Sequence, residues 1–304
     1  MITGVAPCCR RGHQTGFCLA TCQCMAPVFA KHTWVIVLAA GDGVRLSPLT
    51  RRLYGTPLPK QFAVLAGDRS MLQDALRRFA PLAPPDRTVV IVPREHAGLA
   101  HAQLAQSLGV HVLSQPMNRG TGAGILWPLT YILARDQHAT VVIAPSDHFV
   151  PCPAPFVDAV AEATALVGQV PVTLVGVRTE LPDPDYGWIV PGRWLRPRVR
   201  VVARFVEKPA VSIALGLHAE GALCNTFVTI ASGRVLAQLA RARLPEQAKA
   251  LARCSSAECA TDAMLLDRVY AGLPASDFSR DVLEQAGGLA VIAVEAATIS
   301  PASA

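Results

Sequence analysis

Three charged side chains stand where phosphate chemistry would need them. Arg45 and Lys60 follow the apolar run Trp34-Val35-Ile36-Val37-Leu38, and Asp147 follows the apolar run Thr140–Ala144. An arginine is a forked cation that matches phosphate oxygens, and a lysine adds a compact second charge. Between the first run and these cations the chain reads Ala39-Ala40-Gly41-Asp42-Gly43. Residues this small leave the backbone bare, so a ligand can approach closely, and consecutive N–H groups there make a nest for anionic oxygens. A carboxylate at the carboxyl end of a parallel strand sits where open sheets place their chemistry. Asp147 can hold Mg²⁺ there between phosphate oxygens, or more plainly cap the next turn. Gln115 ends another short apolar segment, and an amide offers a nucleobase edge both donor and acceptor. Asn118-Arg119-Gly120-Thr121 then opens a predicted helix to about Ala134. Its small residues suit either close approach of a ligand to the positive helix end or plain helix–sheet packing.

The elements that must position these residues follow from periodicity. Buried strands are predicted at Trp34–Leu38, Thr88–Val92, Val110–Leu113, Thr140–Ala144 and Val170–Val177. Helices are predicted between them at Met71–Phe79 with Ser70 as cap, at His96–Leu108 ended by Gly109, and at Phe156–Val167. Strand–helix alternation of this kind gives an α/β fold with a mainly parallel sheet covered on both faces. After Arg178 the pattern changes to shorter strands at Tyr186–Val190 and Val199–Val206. Ala-rich helices run from Gly233 to about Gly272, and Leu289–Val294 reads as a last strand. A dinucleotide-binding loop is excluded: Leu46 stands where its third glycine belongs, and Pro48 follows where its helix should run.

Taken together, Leu38-Ala39-Ala40-Gly41-Asp42-Gly43-Val44-Arg45-Leu46 and Pro59-Lys60-Gln61-Phe62 resemble the signature of sugar-1-phosphate nucleotidyltransferases, particularly mannose-1-phosphate guanylyltransferases. Gln115-Pro116-x-Asn118-Arg119-Gly120-Thr121, Pro145-Ser146-Asp147-His148, Tyr186-Gly187-Trp188-Ile189 and Phe205-Val206-Glu207-Lys208-Pro209 agree in order and spacing. Cys224-Asn225-Thr226-Phe227 resembles the family's Trp-Asn-Ser/Thr-x-Phe with the Trp replaced. The resemblance runs from about Trp34 to about Val294. It implies a Rossmann-like, GT-A-like mixed sheet flanked by helices. It also implies a reaction in which a sugar 1-phosphate and a nucleoside triphosphate, GTP first, give a nucleotide-sugar such as GDP-mannose and pyrophosphate.

The same resemblance assigns roles. Leu38 to Gly43 with Gln115, Arg119, Gly120 and Thr121 would bind the nucleotide. Tyr186, Gly187, Glu207, Lys208 and Asn225 would bind the sugar phosphate, although Glu207 and Lys208 alone would also read as a surface ion pair. Arg45, Lys60 and Asp147 would be catalytic, with Mg²⁺ on Asp147; His148 would only orient the loop. The sugar phosphate is already a good nucleophile, so catalysis is positioning and charge neutralisation and needs no general base. In the family a Trp-Ser-Asp-x-Gly turn completes the metal site after the last strand. Here Glu295-Ala296-Ala297-Thr298-Ile299-Ser300 follows Val294 and the sequence stops at Ala304. The expectation is therefore slow turnover with a high Mg²⁺ requirement. A nucleotide-sugar-binding regulatory protein with little turnover is the alternative.

Composition bounds the rest. With 304 residues, 51% hydrophobic and 16% charged, the chain can bury a sizeable core. The net charge is +6, but residues 1–32 hold Arg10, Arg11 and Lys31 with no acid. The remaining excess suits anionic small substrates and does not call for nucleic acid. No run is long and apolar enough for a membrane span. Residues 1–32 imitate a secretion signal, but Thr21, Gln23 and a cluster of cysteines interrupt the apolar stretch. They are expected to be a disordered or non-native extension, with residues 1–24 not necessarily translated, ahead of one domain over 33–304. Cys18, Cys22 and Cys24 with His13 fit no ordinary zinc site, and the nine cysteines are expected to be reduced thiols in a cytoplasmic protein. Oligomeric state is not legible.

Overall fold

A computed structural model describes residues 31–41, 46–255, 262–295 and 300–301. The expectations for residues 1–30, for Asp42, Gly43 and Arg45, and for Ala296–Ile299 lie outside the described residues.

The sheet starts from β1 (Thr33–Leu38), a run of branched apolar residues that suits a strand covered on both faces. Its side chains alternate between two cores. Trp34 and Ile36 enter one, with α4 (Gly120–Leu133) and the later helices. Val35 and Val37 enter the other, with α2 (Met71–Phe79), α3 (Ala97–Leu104) and α5 (Pro153–Thr164). Burying one such side chain contributes about 1.5–3 kcal/mol, so a polar residue at Ile36 or Val37 would remove a sizeable fraction of a net stability of about 5–15 kcal/mol.

The other strands are β2 (Thr88–Pro93), β3 (His111–Gln115), β4 (Thr140–Pro145), β6 (Val172–Val177), β7 (Trp188–Arg196), β8 (Val199–Val206), β9 (Leu223–Ser232) and β10 (Leu289–Val294). With β1 they form one nine-stranded sheet in the order β3-β2-β1-β4-β9-β6-β10-β8-β7, and β7 also pairs with β9. All run the same way except β8 and β9, so the mixed, mainly parallel α/β sheet is found as expected. A two-residue strand, β5 (His148–Phe149), pairs antiparallel with β11 (Ser300–Pro301).

Helix α2 starts where Ser70 caps it. The Ser70 side chain accepts from the Gln73 N–H and the Gln73 side chain accepts from the Ser70 N–H, a reciprocal capping box. Helix α3 ends at Leu104, short of Gly109. The chain turns through Ser107 first, and Gly109 supplies a left-handed residue at φ +97° before β3. Helix α5 begins three residues earlier than its apolar pattern, because Pro153 fits the first turn, where no N–H is needed. The same reason corrects the reading of Pro48. A short helix, α1 (Ser47–Tyr54), does follow the loop, with Pro48 in its first turn.

Candidate active site

Lys60 and Asp147, the described candidates for phosphate chemistry, lie along one sheet edge, where the parallel strands end. Strand β1 ends at Leu38 beside Pro145 of β4, and the loops that follow these two strands meet. Ser146 fastens them: its N–H and its hydroxyl both donate to the Leu38 carbonyl, at 3.0 and 2.8 Å. Ala39 is buried, Ala40 half-buried and Gly41 exposed, so the bare backbone opens outward. The Gln61 side-chain amide donates to the carbonyls of Ala39 and Gly41, at 2.9 and 3.0 Å. That ties the loop to the tight turn Lys60–Phe62 and delivers Lys60.

Lys60 Nζ lies 2.5 Å from an Asp147 carboxylate oxygen, with both side chains about one-quarter exposed (24% and 26%). Two residues from separate motifs, far apart in sequence, thus meet as an ion pair at the mouth of the bare loop. Burial alone would raise the Asp147 pKa; the charges of His148 and Lys60, and the Lys60 hydrogen bond, outweigh it and hold the carboxyl below its ordinary value. His148 is buried, and burial pushes its pKa down to about 4. Asp147 opposes that shift, and Arg78 and Lys60 add to it. The ring is therefore neutral near pH 7.

A second cluster lies on the same edge, one strand beyond β4. Asn225 of β9 pairs with Gly176 at the end of β6, and its N–H donates to the Gly187 carbonyl at 2.8 Å. Glu207 follows β8, and its side chain is only 6% exposed. A Cβ at Gly187 would lie 2.5 Å from Glu207 Oε2 and 3.0 Å from the Phe205 ring, so a side chain there would force this carboxyl to shift. Burial, then the nearby Asp277, pushes the Glu207 pKa up to about 7, against the pull of Lys208 and Arg280. Lys208 is half exposed, with Nζ 3.9 Å from Glu207 Oε1. Tyr186 is half-buried beside them. Lys208 (φ 47°) and Phe227 (φ 63°) hold left-handed backbone without being glycine. Such strain persists only where the surroundings over-determine it, and it gathers at functional sites.

The third group is built differently from the simplest reading of its small residues. Gln115 ends β3 with its Oε1 buried and without a protein hydrogen-bond partner, an acceptor lacking a donor. Gly120 and Gly122 open α4, but the close approach they permit is taken by protein. A Cβ on either would overlap Ser276, which accepts from the Gly122 N–H and donates its own N–H to the Arg119 carbonyl. The Arg119 guanidinium donates to the carbonyls of Tyr270 and Ala271, at 2.9 and 3.0 Å. The Thr121 hydroxyl accepts from the Phe278 N–H at 2.7 Å. Arg119, Gly120 and Thr121 thus clamp the 270–278 segment onto the start of α4.

A metal would have little to hold it. Among the described residues, no group of three or more Asp, Glu, His and Cys side chains gathers into a cage. Asp147 alone, partly exposed, fits an ion that keeps its waters and takes phosphate oxygens as its other ligands. Among the described residues, Cys224 and Cys254 are buried, Cys152 is exposed, and none of the three forms a disulfide. Burial pushes the Cys224 thiol up to about 12, so it stays protonated near pH 7. Gln61, Ser146 and Arg78 belong to the architecture of the site. Gln61 and Ser146 lie inside motifs visible in the sequence, whereas nothing local marks Arg78.

The sequence from 34 to 237 matches the family model described as nucleotidyl transferase. The Xanthan biosynthesis protein XanB of Xanthomonas campestris pv. campestris is 35% identical over 189 residues, 61% of this chain and 39% of the relative. Mannose-1-phosphate guanylyltransferase 2 of Escherichia coli O157:H7 is 30% identical over 195 residues, 60% of this chain and 38% of the relative. The chain thus spans less than two-fifths of the length of these curated relatives. A solved structure from Thermus thermophilus, titled mannose-1-phosphate geranyltransferase, superposes with a TM-score of 0.75 at 30% identity, over 86% of this chain and 74% of that one. A Helicobacter pylori structure titled mannose-6-phosphate isomerase aligns at TM-score 0.69 and 18% identity, over 88% of this chain and 99% of that one, and shares the fold.

Proposed function

The chain belongs to the nucleotidyl transferase family, and we propose that it transfers a nucleotidyl group to a sugar 1-phosphate, with GTP and mannose 1-phosphate as its substrates and GDP-mannose and pyrophosphate as its products. The observation that carries this reading is the Lys60–Asp147 pair at the mouth of the Ala39–Gly41 loop. The Glu207, Gly187 and Asn225 cluster stands one strand away on the same edge. A donor site and an acceptor site on one edge are what a transfer between two bound phosphates requires.

The triphosphate would lie along the backbone of Ala39 to Gly43, with its base against Gln115. Gln115 Oε1 is buried without a partner, so the turn after β3 would have to open for a base edge, such as the two adjacent N–H donors of guanine, to reach it. Asn225 and Glu207 would hold sugar hydroxyls, and Lys208 would hold the sugar's phosphate. Its oxygen is the nucleophile: the bond to the α-phosphorus forms as the bond to pyrophosphate breaks. Lys60 and Arg45 would neutralise the departing charge, which is worth most where water is excluded. Asp147 would hold Mg²⁺, which when bound neutralises charge on the phosphate oxygens. Because Asp147 already pairs with Lys60, a metal held there would have to share that carboxylate with Lys60.

Pyrophosphate release with GTP, ATP, CTP or UTP against mannose 1-phosphate and glucose 1-phosphate tests the assignment. The GTP and mannose 1-phosphate pair should be turned over fastest. Preference for another pair would keep the reaction class and reject the substrates.

A further inference from the structure

Among the described residues, Arg78 is the only buried lysine or arginine, at 7% exposed. It sits in the last turn of α2, in a helix whose start is fixed by a capping box. Its Nη2 donates to the His148 carbonyl at 2.9 Å, and its guanidinium carbon lies 5.9 Å from the centre of the Phe156 ring on α5. Asp74 stands one helical turn earlier as a partial counter-charge. Burial draws the Arg78 pKa down to about 10 while Asp74 resists, so the cation persists at neutral pH.

A buried cation is an expensive way to fill space. Desolvating it costs several kcal/mol, and a leucine or methionine would pack between α2 and α5 without that cost. The carbonyl it grips indicates what the charge does. His148 follows Asp147 directly and opens β5, a strand only two residues long. So short a strand cannot hold its own geometry. It is held by β11 along its edge and by Arg78 from the core side.

We propose that Arg78 is a positioning residue for nucleotidyl transfer: by holding the His148 carbonyl it fixes the Asp147–His148 turn, and with it the direction in which the Asp147 carboxylate meets Lys60 and the reacting phosphates. This rests on the reading of Asp147 given above. Arg78 touches no substrate. It acts through one peptide, and its loss should appear in the rate before it appears in binding.

The test uses the full chain with Arg78→Met, which keeps volume and removes charge and donors, and Arg78→Lys, which keeps the charge. Amide hydrogen exchange over residues 146–150 is measured without substrates, beside kcat and KM for both substrates. Arg78→Met should raise exchange over 146–150 and lower kcat, each by about tenfold or more, with each KM moving less than about threefold. Arg78→Lys should recover part of both. Unchanged exchange at 146–150, or kcat within about twofold of the native chain, overturns the proposal. Equal losses in every peptide and every constant would show a purely structural residue and also overturn it. If Arg78→Met does not fold, Arg78→Gln is judged by the same readouts. Asp147→Asn runs in parallel. Native kcat in that variant would reject the reading of Asp147, while the exchange data would still judge the anchor.

Discussion

Glu207 and His148 should make the stability of this protein respond to pH in opposite directions, and one substitution should unmask each. Glu207 is nearly covered, with its pKa moved from 4.5 to about 7, first by burial and then by Asp277. Its folded pKa is raised, so the folded chain keeps a proton that the unfolded chain releases. Stability from this group is full below pH 4.5 and is lost as pH rises to about 7. The slope is about 1.4 kcal/mol per pH unit, at most about 3 kcal/mol in all. His148 does the reverse. Its pKa moves from 6.5 to about 4 by burial, so its contribution is full above pH 6.5 and is lost as pH falls toward 4. Between pH 4.5 and 6.5 the two nearly cancel. Glu207→Gln should leave the His148 term unopposed, and stability should climb with pH across that window by about 1.4 kcal/mol per unit. His148→Asn should leave the Glu207 term unopposed and give a falling curve. The assay is urea unfolding at half-unit steps from pH 4.5 to 7.5, read as the difference between variant and native chain so that other carboxyls drop out. A difference for Glu207→Gln that stays flat with pH would refute the burial of an uncompensated carboxyl and the tight Gly187 cradle inferred from it.

Two further outcomes follow from the same geometry. Lys60→Met should lower kcat by about 10²–10³, the loss of one electrostatic contact to developing charge, and leave the KM for the sugar phosphate little changed, as steady-state kinetics would show. Gly187→Ala should drive a methyl into Glu207 Oε2 and the Phe205 ring, costing about 1–3 kcal/mol in unfolding experiments and raising the KM for the sugar phosphate.

Much of this was legible in the sequence, for physical reasons that also mark where reading stops. The run Trp34–Leu38, the Ser70 cap and the last strand at Leu289–Val294 carry local signals, and each lies where expected. Asp147 and Lys60 were legible as motif residues, but their meeting depends on the register of β1 with β4 and on Gln61 tying the loop down. Strand β9 is not among the predicted strands: Asn225 only follows an apolar run, and such a run carries no direction. That it enters antiparallel between β4 and β6, placing Asn225 at the active edge, is set by pairing alone. Strand β7 runs six residues past its expected end, to Arg196, because register shifts at Pro191 and Trp194 absorb residues that local propensity rejects. The small residues at the start of α4 suit either a ligand or packing. At Gly120 and Gly122 the space is occupied by Ser276, more than 150 residues later, and no window of sequence contains both. No local signal marks Arg78, because β5 and α5, which close over it, lie 70 or more residues away.

Transfer at an edge organised by Lys60 and Asp147 is open to direct measurement. Pyrophosphate release is followed with GTP, mannose 1-phosphate and Mg²⁺, native chain beside Asp147→Asn, with GTP binding to both measured by calorimetry. The expected result is turnover in the native chain, a loss of about a thousandfold or more in Asp147→Asn, and GTP bound by both. Nucleotide binding without turnover in the native chain would contradict it and leave a binding protein in the same fold. So would native turnover that survives the loss of the Asp147 charge.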